Sequence, residues 1–272
     1  MGSVVLKACK APCTEEPKYS MLCNKVPVCL DLAQHSGNNW YHRIGGFTRN
    51  YDWQTFALFV EPSRCEFTHV NFEPWKTNPK KSGATSITND NLYGNLLPMI
   101  LPELCENATI NVFGPCDYTL IYQFILAKQV KNVYINYGPG LDRILYDIRS
   151  QDNFVQLTLA GDWPDHCSRY LESLAKRDKS NYIDLQNSNL LISANVVKVV
   201  VDRWKKADGN LKIEVIGKHI FGPDEVNDLF ELSDMKNHQN VKCYSMEIKT
   251  GRFGLVLNVE QNRLNLKNVA YY

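Results

Sequence analysis

Apolar side chains recur at every second position in five short runs of the chain beyond residue 108. The runs are TINVFG (109–114), NVYINYG (132–138), VQLTLAG (155–161), YIDLQ (182–186) and KIEVIG (212–217). A spacing of two places these side chains on one face of an extended backbone. Each run therefore predicts a β-strand that is buried on one face.

Helical periodicity follows each of these runs. After the second run, apolar residues stand at i, i+3, i+4 and i+7, namely Leu141, Ile144, Leu145 and Ile148. Such a stripe is typical of a helix that packs one face against a core. The third and fourth runs are followed by similar stripes, and the first and last by shorter ones. The sequence thus predicts five strand–helix units in succession.

Two α/β architectures can be built from such units. In a doubly wound sheet the strands are buried on both faces and read as continuous apolar runs, whereas these strands alternate. Leucine-rich repeats have units of comparable length, roughly 20–29 residues. We therefore predict an irregular β–α solenoid resembling leucine-rich repeats, with parallel strands in one curved sheet and all helices on one side.

The C-terminal segment has the pattern of a hairpin. Residues 244–259 alternate on either side of Gly251, which suits a tight turn. A solenoid needs a cover over its last unit, so we predict a C-terminal β-hairpin cap. The tail from Arg263 onward is interpreted as either an edge strand or a free end.

Composition divides the chain into a divergent N-terminal segment, residues 1–91, and a β–α repeat domain, residues 92–272. The division follows a polar stretch, residues 76–91, that is rich in turn-forming residues and predicts a linker. Within the first segment, WQTFALFV (53–60) and FTHVNFEPW (67–75) are interpreted as strands.

Residues 92–105, LYGNLLPMILPELC, open the repeat domain. Their apolar character predicts a helix that Pro98 and Pro102 break, because proline lacks the backbone N–H of a helix interior.

The stretch Gly161-Asp162-Trp163-Pro164, followed by Asp165, His166 and Cys167, admits two interpretations. A thiol near a helix N-terminus can have a lowered pKa and act as a nucleophile. However, Gly-Pro pairs recur where other predicted strands meet helices, and Cys167 continues an apolar stripe with Tyr170 and Leu171. We therefore predict a turn with Trp163 buried in it and assign no catalytic role to His166 or Cys167.

Charge and hydropathy exclude several classes of protein. The 30 basic and 29 acidic residues give a net charge of +1, without the basic excess of a nucleic-acid-binding chain. Apolar runs are too short to cross a bilayer, and residues 1–30 lack the apolar core of a signal peptide. We expect an intracellular protein, cytoplasmic or nuclear, with no nucleic-acid or membrane partner.

Candidate chemistry is sparse. The odd number of cysteines, nine, in an intracellular chain favours reduced thiols. Cys9, Cys13, Cys23 and Cys29 lack the tight pairing of a zinc site. Sequence signatures of hydrolases, phosphate loops and dinucleotide sites are missing, and GPGLDR (138–143) is interpreted as a turn. We predict no enzyme, no catalytic residue, no metal and no cofactor.

Binding chemistry is instead expected on the sheet. On alternating strands, the side chains that do not enter the core form the opposite face, and solenoids bind partners on such surfaces. The predicted partner-binding residues are Asn111, Tyr134, Asn136, Gln156, Thr158, Asp184, Gln186, Lys212 and Glu214. An enzyme of unrecognised type and a structural or oligomerisation scaffold stay open as alternatives.

The order of these segments resembles a known family. NVYINYG, NFVQLTLAGDWP, YIDLQNSNL, VVDRW and KIEVIGKHIF follow one another as in a nematode-expanded group of F-box-associated proteins, over roughly residues 108–233. The resemblance implies recognition of a protein destined for ubiquitination, with an N-terminal F-box bound to a Skp1-like adaptor. The nearest approach to an F-box here is NKVPVCLDLAQ (24–34), so the adaptor-binding element is not evident.

Overall fold

The chain divides into two compact units, residues 1–110 and 111–272, whereas composition placed the division after residue 91. The computed structural model describes residues 25–34, 39–45, 50–59, 64–72, 83–114, 116–127, 130–149, 156–177, 181–234, 243–250, 253–260 and 263–270. Both units are mixed α/β structures with open sheets.

Four neighbouring parallel strands form the first half of the sheet in the second unit. They are β6 (Asn132–Asn136), β7 (Gln156–Ala160), β8 (Asn181–Asp184) and β10 (Ile213–His219). Each pairs in parallel with the next in this order. The predicted parallel arrangement is therefore confirmed for these four of the five runs. The fifth run is strand β5 (Leu104–Val112), which contains the division between the units.

A row of helices packs against the apolar positions of these strands. The helices are α4 (Tyr118–Ala127), α5 (Asp142–Ile148), α6 (Ser168–Ala175) and α7 (Ala194–Lys206). A 3₁₀ turn, Asp165–Cys167, leads into α6, and α7 begins where the Ser193 hydroxyl accepts a hydrogen bond from the N–H of Val196. Consecutive helices contact one another, so they form one layer.

The prediction of a helix after the fifth run, KIEVIG (212–217), is wrong. After β10 the chain makes two 3₁₀ turns, Pro223–Glu225 and Asn227–Leu229, in place of an α-helix. Val226 and Phe230 are nevertheless buried, as the apolar pattern predicted.

The C-terminal strands include the predicted hairpin and extend the sheet, whereas a cap over a solenoid is not shown. The hairpin exists as β12 (Cys243–Thr250) and β13 (Phe253–Glu260), and its predicted turn at Gly251 lies outside the described residues. The tail forms β14 (Arg263–Ala270), which lies between β10 and β13 and pairs antiparallel with both. The tail is therefore neither an edge strand nor a free end.

Two short strands complete the sheet of the second unit. Strand β9 (Leu191–Ile192) pairs with the end of β10, and β11 (Glu231–Asp234) pairs with β12. An antiparallel half, β14–β13–β12–β11, thus extends the parallel half. The structure shows an open mixed sheet, and the leucine-rich-repeat-like solenoid is not shown.

The first unit contains a mixed sheet with strand order β5–β3–β1–β2–β4. Its further strands are β1 (Val26–Gln34), β2 (Asn39–Gly45), β3 (Cys65–Phe72) and β4 (Thr85–Thr88). The prediction of a strand is confirmed over 67–72. The polar linker prediction is wrong at β4, which is a strand with a single buried side chain, Ile87.

Two other segments of this unit are helical where the sequence predicted a strand or a broken helix. The segment WQTFALFV (53–60), which was predicted to be a strand, contains helix α1 (Trp53–Phe59). A continuous helical stretch runs through α2 (Asn89–Asn91), a π-helical turn (Leu92–Leu96), α3 (Leu97–Ile100) and a 3₁₀ turn (Leu101–Glu103). The helical stretch is therefore not broken, and its type changes at each proline, since Pro98 stands in the first turn of α3 and Pro102 in the first turn of the 3₁₀ segment.

Polar side chains inside the first unit are bound to specific partners. Asp31, on β1, is buried and accepts hydrogen bonds from Arg43 Nε at 2.7 Å and Asn71 Nδ2 at 2.8 Å. His42 is fully buried, and its Nε2 accepts the backbone N–H of Trp53 at 2.8 Å, where α1 begins. Burial lowers the pKa of His42 to about 4.

Across the residues that the structure describes, no helix is both long and apolar enough to span a membrane.

Candidate protein-binding surface

The predicted partner-binding residues occupy one face of the sheet in the second unit, which we call the open sheet face. The opposite face meets the helices through buried apolar side chains, among them Val133, Ile135, Leu157, Leu159, Ile183 and Leu185. Side chains of the other parity alternate with these along every strand. The strands therefore present one apolar and one largely polar face.

Strand register brings five of the nine predicted residues into two adjacent rows. Tyr134 lies opposite Thr158, which lies opposite Asp184. In the next row, Gln156 and Glu214 flank β8 on its two sides. These five residues form the centre of the open sheet face.

The other four predicted residues lie at its margins. Gln186 follows the carboxyl end of β8, and Lys212 precedes the amino end of β10, so these two stand at opposite edges of the parallel sheet. Asn136 ends β6 and donates its side-chain N–H to the Phe113 carbonyl at 3.4 Å. Asn111 is half-buried on β5. The structure does not bring these four together.

Sequence analysis missed an aromatic residue at the centre of this face. Tyr182 lies between Gln156 and Glu214 in the second row and is half-buried. Tyr134 and Tyr182 thus lie in adjacent rows of the open sheet face. The signal was available, because in YIDLQ (182–186) Tyr182 has the same parity as Asp184 and opposite parity to the buried Ile183.

A second missed aromatic extends the surface. Phe113 follows β5, is 39% exposed, and its ring centroid lies 5.4 Å from that of Tyr134 with the planes tilted by 41°. Such a tilted pair is a favourable aromatic geometry. Alternation could have found Phe113, because in TINVFG (109–114) it has the same parity as Asn111 and the opposite parity to the buried Ile110 and Val112.

Charged groups surround the aromatic centre. Burial, followed by the carboxylates of Asp184 and Glu214, raises the pKa of Tyr182, so its hydroxyl stays protonated. Asp184 also accepts the backbone N–H of Gln186 at 2.9 Å. On the other side of β10, Glu214 lies opposite Lys267 of strand β14. The face thus offers a phenol, carboxylates and an ammonium group within two rows.

The antiparallel half continues the same face with less charge. Asp184 lies opposite Ile216, Ile216 opposite Asn265, and Asn265 opposite Asn258. The buried Oδ1 of Asn265 has no hydrogen-bond partner in the part of the chain that the structure describes. A row formed by Asp184, Ile216, Asn265 and Asn258 thus crosses from the parallel to the antiparallel half of the sheet.

Trp163 is buried in the turn that begins at Gly161, as predicted. Trp163 is 2% exposed, its indole Nε1 donates to the Ala160 carbonyl at 2.8 Å, and its ring lies 5.1 Å from that of Tyr137. Its backbone N–H and C=O bind the Asn189 side chain, both at 2.8 Å. These contacts tie the turn after β7 to the turn after β8.

The residues that follow this joint do not form a reactive pair. Cys167 is buried, and burial raises the pKa of its thiol to about 11, so it is a thiol rather than a thiolate at neutral pH. His166 instead faces Asp142, with 3.7 Å between Nε2 and Oδ2. The geometry therefore favours packing for Cys167.

Metal-binding chemistry is not found in the described part of the chain, where no three His, Cys, Asp or Glu side chains are grouped around a common point. Of the four N-terminal cysteines considered for zinc, Cys29 lies on β1, and Cys9, Cys13 and Cys23 lie outside the described residues.

What the open sheet face can do chemically is hold a macromolecular surface through aromatic contact and directed hydrogen bonds. Flat sheet faces lack the enclosure that a small ligand needs. Comparison of the chain with protein-family models, with curated proteins and with solved structures finds no match.

Proposed function

We propose that this protein is a recognition module that binds another protein through the open sheet face. The observation that carries the proposal is the aromatic centre of that face, Phe113, Tyr134 and Tyr182, set among carboxylate and amide side chains. Tyrosine is enriched in protein interfaces and at their energetic centres, because it combines apolar area with a hydroxyl group.

The mixture of charges supports the same proposal. A sheet face that contacts only solvent gains no stability from exposing two aromatic rings that pack against each other. Here the Phe113–Tyr134 pair is partly exposed, and Tyr182 is held between Asp184 and Glu214. An apolar centre with a polar rim is the usual anatomy of a protein interface.

The resemblance to F-box-associated proteins favours a finer assignment, in which the bound protein is a substrate of a ubiquitin ligase. The segment nearest to an F-box does not supply the helices of that motif, because Val26–Gln34 is strand β1. We therefore place substrate recognition, rather than binding of a Skp1-like adaptor, in the described part of the chain. The alternative function is an oligomerisation scaffold, which photo-crosslinking distinguishes from a recognition module.

Photo-crosslinking in cells tests the proposal. A benzophenone amino acid replaces exposed Gln156 at the centre of the open sheet face, and Lys198, exposed on α7, serves as the control position. We expect a recurrent partner at Gln156 that is missing at Lys198. Crosslinks to a second copy of this chain alone would support the scaffold and contradict the proposal.

Substitutions then locate the binding energy. Tyr134→Ala and Asp184→Lys should each reduce capture of the crosslinked partner, with a loss of about 2 kcal/mol for Tyr134→Ala, the threshold for an anchoring residue. Lys198→Ala is the matched surface control. Circular dichroism and a thermal melt check each variant. If both folded variants retain the partner at the parental yield, the open sheet face is not the binding surface.

A further inference from the structure

Arginine side chains stack on tyrosine rings where α5 meets α6. The Arg149 guanidinium lies 3.4 Å from the ring centroid of Tyr146 and 5.3 Å from that of Tyr170. Arg169 lies 5.1 Å from the Tyr170 centroid and donates from Nη2 to the Tyr170 hydroxyl at 3.2 Å. We call Tyr146, Arg149, Arg169 and Tyr170 the arginine–tyrosine patch.

Stacking on the rings orients these arginine side chains but does not neutralise their positive charge. A guanidinium that lies over a ring keeps its in-plane N–H donors free for another group. Neither Arg149 nor Arg169 has a carboxylate oxygen within 4.0 Å among the described residues. Two oriented cations are therefore presented without an ionic partner in that part of the chain.

The two rings differ in accessibility, because the Tyr146 side chain is exposed whereas Tyr170 is buried. Tyr146 is 49% exposed, and its ring meets that of Tyr170 edge-on at 5.7 Å. Arginine and tyrosine are among the residue types most enriched in interface centres. All the arginine–ring contacts found in the described residues lie at this patch or next to it, where Arg143 lies over Tyr118.

We propose that the arginine–tyrosine patch binds an acidic linear peptide, whose carboxylates pair with Arg149 and Arg169 while its backbone and side chains cover the exposed ring of Tyr146. Paired, planar donors match a carboxylate in bidentate geometry. The patch belongs to the helix layer, so this site is separate from the open sheet face.

Neighbouring carboxylates limit how the peptide lies. A cleft of about 280 Å³ adjoins the patch and is lined in part by Asp142 and Asp147. Asp142 also faces His166 across 3.7 Å. Arg143 also lines this cleft. Asp142 and Asp147 repel acidic residues from their own side of it, so the peptide's carboxylates lie on the Arg149 and Arg169 side.

Fluorescence anisotropy with defined peptides tests the proposal on the full chain. The acidic probe is a fluorescein-labelled ten-residue peptide of alternating Glu and Ser, and the neutral probe has Gln in place of Glu. The Arg149→Gln/Arg169→Gln variant removes the two cations. Lys198→Gln/Lys206→Gln is the matched control, since both lysines are exposed on α7 and the change in net charge is the same.

We expect binding of the acidic probe and not of the neutral one, a loss of about tenfold or more in the patch variant, and a change of less than about twofold in the control. Arg149→Lys/Arg169→Lys should lose most of the affinity too, because an ammonium group neither stacks nor binds a carboxylate bidentately.

Three results would overturn the proposal. They are equal binding of the two probes, equal binding by parent and patch variant, and no binding at millimolar probe. Displacement of the probe by inorganic phosphate, beyond the effect of chloride at the same ionic strength, would assign the patch to a phosphate anion instead. Crosslinking at Gln156 in the patch variant should be unchanged, which separates this test from that of the open sheet face.

Discussion

Two glycines with the same backbone conformation provide a controlled measurement of packing at the joint after β7. Gly161 and Gly140 have φ of +85° and +86°, in the left-handed region that favours glycine. A Cβ added at Gly140 meets no atom within 4 Å. A Cβ at Gly161 comes within 2.8 Å of Asn136 Oδ1 and 3.1 Å of the backbone nitrogen of Tyr137.

The expected magnitudes follow from these distances. Alanine in the left-handed region costs roughly 1–2 kcal/mol at either position. Overpacking adds roughly 1–3 kcal/mol at Gly161, because the Asn136 amide can move but the Tyr137 backbone is held by its hydrogen bond to the Ala160 carbonyl at 2.8 Å. Gly140→Ala should therefore lose about 1–2 kcal/mol of unfolding free energy, and Gly161→Ala about 2–5 kcal/mol.

Urea denaturation followed by tryptophan fluorescence and by circular dichroism measures both variants. Coincident transitions by the two probes establish that the free energies are comparable. Equal losses for Gly161→Ala and Gly140→Ala would show that the strands do not approach at this joint as the structure has them.

Three further predictions concern buried side chains. Trp163→Ala should cost about 3–5 kcal/mol, as for other buried aromatics, and a thermal melt that matches the parent would contradict its burial. Burial lowers the pKa of His42 from 6.5 to about 4. Its contribution to the free energy of unfolding is therefore complete above pH 6.5 and falls as the pH drops towards 4, by about 2–3 kcal/mol at pH 4.5. Urea denaturation at pH 7 and at pH 4.5 should show this loss in the parent and a smaller loss in His42→Gln. Cys167, with its pKa raised to about 11, should react with iodoacetamide at pH 7.5 more slowly in the native protein than in urea, and rapid native labelling in a mass-spectrometric time course would overturn that assignment.

Local patterns predicted the parallel strands well because burial of one face leaves a period of two in the sequence. The same pattern could not distinguish a solenoid from an open sheet, since alternation reports which face is covered and not how the sheet curves. The place of β14 depends on pairing with β10, which is distant in sequence. The alternation of Leu264 and Leu266 reveals a strand but not its neighbour.

Capping explains why the first unit was harder to predict. WQTFALFV has the aromatic content of a strand, yet Asp52 accepts the Thr55 N–H at 2.8 Å and His42 accepts that of Trp53, which together begin a helix. The Asp52 signal is visible in the sequence, whereas the His42 contact depends on the tertiary fold. Strand β4 was missed because three of its four side chains are exposed, which gives an edge strand the composition of a loop.

The same considerations apply to the open sheet face. Parity identified the face and most of its residues, and consistent use of parity would have added Tyr182. Parity would also have added Phe113, beside Asn111, and Ile216, beside Glu214. The row from Ile216 to Asn265 depends on the pairing of β14 with β10, which the sequence pattern does not encode.

The position of β14 imposes an order on the assembly of the second unit. During synthesis the parallel strands and the β12–β13 hairpin leave the ribosome before β14, so β10 and β13 each expose an unpaired edge until the strand between them is made. Such edges invite pairing with other chains. A stop codon after Glu260 would make that interval permanent, and we expect the shortened protein to aggregate or to recruit chaperones far more than a variant that keeps β14 and loses only residues 271–272.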